Sequence, residues 1–133
     1  MDSILIERNG KILLSGVQEP LPEALSGWIA IRPGSTSGVR FYIRRADITA
    51  VYDLKGGITR FCQAGPMQTA ACERNCLVRV RGGVSYLGDR HHIPAEMELA
   101  GDRADRSIFL WIGTGENMIV RIPEDEIERL YSI

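Results

Sequence analysis

The chain of 133 residues lacks most features that mark specialised protein classes. Cysteine occurs three times, at Cys62, Cys72 and Cys76; the odd number excludes a complete intrachain disulfide framework and fits reduced thiols. No run approaches the roughly 20 apolar residues that span a bilayer as a helix. The start, Met1-Asp2-Ser3-Ile4-Leu5, has neither the basic region nor the apolar stretch of a secretory signal, so the expected location is cytoplasmic. Charge of one sign is missing too. Sixteen Lys and Arg against 17 Asp and Glu leave a net charge of -1, which gives no global attraction to phosphate and counts against a dedicated nucleic-acid domain. No amphipathic helix pattern of ordinary length is present. What remains, 44% apolar and 25% charged residues, is the composition of an ordinary folded chain, long enough for one domain or two very small ones.

What the sequence does contain is a repeat. Leu5-Ile6-Glu7-Arg8-Asn9-Gly10-Lys11-Ile12-Leu13-Leu14-Ser15-Gly16 matches the pattern of Leu77-Val78-Arg79-Val80-Arg81-Gly82-Gly83-Val84-Ser85-Tyr86-Leu87-Gly88. Both place apolar residues on each side of a tight Asn-Gly or Gly-Gly turn, and each reads as a β-hairpin. Residues 41–52 likewise lie over residues 120–131: with Tyr52 on Tyr131, the apolar positions Ile43, Ile48 and Val51 fall on Ile122, Ile127 and Leu130. Between these ends, Trp28-Ile29-Ala30-Ile31-Arg32 and Ile108-Phe109-Leu110-Trp111-Ile112 are β-branched and aromatic runs suited to central strands. A glycine-containing turn follows each, through Pro33-Gly34-Ser35-Thr36-Ser37-Gly38 and Gly113-Thr114-Gly115-Glu116-Asn117.

About five short strands per half follow, and the offset between halves grows from 72 at the hairpins to 79 at the ends, which places a longer loop within residues 89–106. Residues 55–75 connect the halves. There Ile58-Thr59-Arg60-Phe61-Cys62 has strand character, and Thr69-Ala70-Ala71-Cys72-Glu73-Arg74 suits one helical turn. Five short strands with open edges are expected to close into a small barrel or to pair with a neighbour. The expected fold is therefore all-β: two tandem small barrels of the SH3 or Sm-like kind, over residues 1–54 and 76–133, related by internal duplication.

That order of strand, Asn9-Gly10 turn, strand ending in Gly16, central strand Trp28-Ile29-Ala30-Ile31, and polar turn after Ile43-Arg44-Arg45-Ala46-Asp47-Ile48 resembles the Sm-like fold, including its bacterial Hfq-type RNA-chaperone branch. The resemblance implies a non-enzymatic binding or regulatory module for single-stranded RNA that assembles as an oligomer. In Hfq-type proteins a Tyr-Lys-His stretch near the closing turn helps bind uridine. The nearest positions here are Ile43-Arg44-Arg45 in the first half and Ile122-Pro123-Glu124 in the second, so basic character is kept once and replaced by an acid once. The helix that usually precedes the first strand is absent. A protein-interaction or assembly module without nucleic acid is the competing reading, and the acidic balance suits it.

Candidate nucleic-acid-binding residues are Arg32, Arg40, Tyr42, Arg44 and Arg45 in the first half and Arg79 and Arg81 in the second. Arginine forks hold phosphate oxygens bidentately, and Phe41 or Tyr42 beside them would stack on a base. The bland alternative is a solvated strand face whose charges prevent edge aggregation. Arg79 and Arg81 stand two apart and so share a strand face, with Arg90, His91 and His92 following. Cys72 and Cys76 have the spacing of half a zinc site, which Cys62 and one of His91 or His92 would complete; with no second close pair, a buried thiol is the simpler account of Cys76. No catalytic site, metal or cofactor is expected, since nothing brings a cysteine to a histidine and Gly113-Thr114-Gly115 lacks the Lys-Ser/Thr of a phosphate loop. Residues 123–130 read either as a short helix with acids at its start or as an acidic turn before a last strand. A homo-oligomer, dimer or trimer, is expected through strand edges.

Overall fold

In the computed structural model, which describes residues 3–33, 38–57, 59–61, 73–100, 106–112 and 118–133, Asn9 and Gly10 take positive φ angles of 49° and 82°. A two-residue hairpin turn that follows the strand twist needs that backbone, and it joins β1 (Ser3–Arg8) to β2 (Lys11–Glu19). The second hairpin joins β7 (Cys76–Val80) to β8 (Ser85–Gly88). Its loop is one residue longer than the Gly-Gly reading supposed: the Val80 N–H donates to the Val84 carbonyl at 2.9 Å, with Gly82 and Gly83 at φ 98° and 90° between them.

The remaining strands are β3 (Trp28–Arg32), β4 (Arg40–Arg44), β5 (Ala50–Asp53), β6 (Thr59–Phe61), β9 (Ser107–Ile112), β10 (Met118–Pro123) and β11 (Ile127–Ser132). Short 3-10 turns interrupt them at Glu23–Leu25, Arg45–Asp47, Ala95–Ala100 and Glu124–Glu126. Among the described residues no helix is long and apolar enough to cross a membrane. The strand character of the connector is realised in β6, and the acidic segment after Pro123 is a turn leading into a final strand rather than a helix. The two glycine turns at 34–37 and 113–117, and the proposed helical turn with Cys62 and Cys72, lie outside the described residues.

The register of the ladders is similar in the two halves. Leu5 faces Tyr52 and Leu77 faces Tyr131; Ile4 faces Gly16 and Cys76 faces Gly88; Ile31 faces Phe41 and Leu110 faces Val120. The first half thus has the order β5-β1-β2-β3-β4, and the second repeats it as β11-β7-β8, one bridge from Asp89 to Trp111, then β9-β10. Gly16 and Gly88 occupy equivalent sites where the hairpin crosses the third strand. A Cβ on Gly16 would lie 2.4 Å from the Arg32 carbonyl oxygen, and one on Gly88 2.6 Å from that of Trp111.

The halves do not form two closed barrels. β4 pairs antiparallel with β10, Phe41 directly opposite its own counterpart Val120, so the halves meet edge to edge about a local two-fold axis. That pairing extends one sheet to eight strands, β6-β5-β1-β2-β3-β4-β10-β9, with β11-β7-β8 as a separate three-stranded sheet. The all-β expectation holds; closure is replaced by joining, because the β4 edge is occupied by β10. The inward residues of both halves, among them Ile4, Ile6, Ile31, Ile43, Cys76, Val78, Leu110 and Ile122, form one continuous core.

Because both crossing glycines abut backbone rather than a flexible side chain, Gly16→Ala is expected to destabilise the chain by about 2 kcal/mol or more. Gly27→Ala, with open space around it, should be near neutral. Urea unfolding of the two variants checks this.

Candidate functional site

The joined sheet is covered on both faces. Phe41 and Ile43 of β4 point into the shared core, so Arg40, Tyr42 and Arg44 point to the other side. There they meet Trp28 and Ala30 of β3, Ile119 of β10 and Trp111 of β9, which form a second apolar layer. Two equivalent segments close it. Leu21-Pro22 leads into the turn ending at Leu25, and Ile93-Pro94 into the turn holding Met97, with Pro22 accepting from the Leu25 N–H at 2.9 Å and Pro94 from the Met97 N–H at 3.0 Å. This Pro-led pair, also 72 residues apart, has neither helical nor strand periodicity to mark it in the sequence, only the spacing of the two prolines. Each segment overhangs an open cleft, of about 240 Å³ beside Trp28 and about 230 Å³ beside Ser107.

The first-half arginines share this face, but their side chains are engaged within the fold. The Arg44 guanidinium lies 4.4 Å from the Trp28 ring centre and 5.9 Å from that of Trp111, a cation held between two indoles. Glu19 gathers Arg40 at 3.0 Å and Arg32 at 3.5 Å. The Arg45 Nε donates to the Ser26 carbonyl at 2.9 Å. Tyr42 is only 2% exposed, and burial pushes its hydroxyl pKa up against the opposing charge of Arg121. Its ring is therefore unavailable for stacking on a base. Arg121 stands directly opposite Arg40 across the β4–β10 joint, so Arg32, Arg40 and Arg121 make a row across three strands that sequence reasoning did not assemble.

Arg79 and Arg81 belong elsewhere, on the three-stranded sheet and its hairpin loop. Arg79 lies 3.8 Å from Glu128 of β11, both half exposed. The acidic turn of the second half is also used internally, since both carboxylate oxygens of Glu126 accept from the Gly38 N–H at 2.9 Å.

A second polar cluster centres on Asp89, 1% exposed at the end of β8. Its carboxylate accepts from the His91 N–H at 2.8 Å, Asn75 Nδ2 at 2.9 Å, His92 Nδ1 at 2.6 Å and the Glu73 N–H at 3.4 Å. Burial alone would raise its pKa; the hydrogen bonds from His91, Asn75, His92 and Glu73 outweigh that and hold it at about 2. The same bond raises His92 above the usual imidazole value. Asp89 replaces Val17 of the first half, whose strand runs on to pair Gln18 and Glu19 with β3, whereas Asp89 turns the chain away after a single bridge. The cluster ends a strand. Cys76 is fully buried, and among the described residues no group of three or more His, Cys, Asp or Glu is placed to hold a metal ion.

Most of β11 is exposed. It borders its sheet with one neighbour, β7. Leu130 and Tyr131 are 37% and 44% exposed, whereas Val51, the counterpart of Leu130, is 3% exposed. In the first half the outer edge of the equivalent strand β5 is occupied by β6. No protein-family model matches the chain, and neither a curated protein nor a solved structure matches it.

The Asp89–His92 bond has a definite pH signature. Asp89 contributes stability that is present above an ordinary carboxylate pKa of about 4 and lost as pH falls toward 2. His92 contributes below about 6.5, and its share is lost as pH rises through its elevated pKa. An NMR titration should place His92 above about 6.5 and Asp89→Asn should bring it back toward that value. Asp89→Ala, which leaves four donors without their acceptor, should cost about 2–4 kcal/mol in urea unfolding.

Proposed function

We propose that the chain is a non-enzymatic interaction module that binds protein partners by adding strands at its sheet edges. The observation that carries this is the outer edge of β11, flanked by exposed Leu130 and Tyr131, at the position where the first half already takes an added strand. Strand addition supplies affinity through main-chain hydrogen bonds and specificity through alternate side chains. Strand order, the crossing glycines Gly16 and Gly88 and the 3-10 turn before each last strand support reading each half as a small Sm-like unit, a tandem pair fused at β4 and β10.

Single-stranded RNA is the second reading, favoured by the row of Arg32, Arg40 and Arg121. Against it stand the buried Tyr42 ring, the indole-held Arg44 and the salt bridges of Glu19, which engage the aromatic ring and the cations of β4 within the fold. Fluorescence anisotropy with a labelled uridine-rich RNA of about 20 nucleotides separates the two. Binding to phosphates weakens steeply as counterions are released into rising salt. The expected result is no saturable binding at low salt; affinity that falls steeply with salt and is removed by Arg32→Glu and Arg40→Glu would establish RNA instead.

A further inference from the structure

We infer that β11 pairs with β11 of a second copy of this chain, antiparallel about a two-fold axis through Leu130. This rests on the strand-addition reading and names its occupant. The bonding parity of the strand is fixed at both ends: the Ile133 N–H donates to the Asn75 carbonyl, and the Glu126 carbonyl accepts from the Arg81 N–H. With Tyr131 opposite Leu77 and Arg129 opposite Arg79, the inward backbone groups are those of Arg129, Tyr131 and Ile133. The N–H and C=O of Leu130 and Ser132 therefore point away from β7, toward the edge that no described strand occupies.

Only outward groups can bond to an added strand, which restricts a symmetric pairing to a few registers. An axis through Arg129 would face two arginines across the closest, non-hydrogen-bonded type of pair, where like charges are destabilising. An axis through Leu130 makes Leu130 and the partner's Leu130 the hydrogen-bonded pair and sets Arg129 against the partner's Tyr131. Arg129 already stands opposite Arg79 within its own sheet, and among the described residues no acidic group lies within ion-pair distance of it; Glu128 is taken by Arg79. The partner's Tyr131 ring would give that cation a face to lie on. Tyr131 and Arg129 share the outward face of the sheet with Leu77, so their contact forms there, while Leu130, paired with the buried Val78, lies on the other face. The chain uses the same device internally, where equivalent strands β4 and β10 pair about the local two-fold at Phe41 and Val120.

Sedimentation of the full chain should show a dimer that dissociates on dilution. Amide exchange should find Leu130 and Ser132 protected at high concentration and fast-exchanging when dilute. Leu130→Pro removes an outward N–H and no backbone bond to β7, so it should give a monomer with unchanged far-UV circular dichroism. A monomer at several hundred micromolar, a dimer that survives Leu130→Pro, or protection of Leu130 that is independent of concentration would each overturn the pairing. A Leu130-dependent dimer with salt-steep RNA binding would keep the pairing and remove the protein-only reading; a monomer without RNA binding would do the reverse.

Discussion

The antiparallel contact between β4 and β10 is the constraint on which the rest of the molecule depends. Each half has only five short strands and, taken alone, buries little apolar surface for the backbone it must order. Joining them edge to edge satisfies two open ladders at once and merges two small cores into one. The same joint leaves four central strands, β3, β4, β10 and β9, that need cover on both faces. The shared core covers one and the twin Pro-led segments cover the other.

This geometry sets the chemistry of the surface. Arginines on the outer face of β4 sit at the rim of an apolar layer, where Trp28, Trp111 and Glu19 hold them. A cation in such a place strengthens the layer beneath it, through stacking and a paired carboxylate, before it offers anything to solvent. The charge that distinguishes this face is thus largely engaged within the fold, whereas on the three-stranded sheet β11 has one neighbour, β7, among the described strands.

The two halves share a design without being equal. Val17 continues β2 in one, while Asp89 in the other gathers four donors and turns the chain away from β9. The second-half hairpin is joined to β9 by one bridge, and among the described strands none covers β11 as β6 covers β5. The equivalent edges of the two halves are used differently: β4 and β10 pair with each other, whereas β5 takes β6 on its outer side and β11 has no neighbour but β7 among the described strands.

The turns, the strands and the repeat were legible in the residues because they depend on local requirements. Asn9-Gly10 and Gly82-Gly83 accept positive φ, and apolar alternation marks which side of each strand is buried. The offsets of 72 and 79 reappear in the ladder register, with one departure where the β1–β2 pairing shifts between Ile6 and Glu7. What the tertiary structure alone decided was which edges meet and which stay open, since any exposed strand edge carries the same backbone groups whatever its side chains. Arg32, Arg40, Tyr42 and Arg44 share a face, as strand alternation requires, but whether a face is solvent or the underside of another segment is set by packing between residues far apart in the chain.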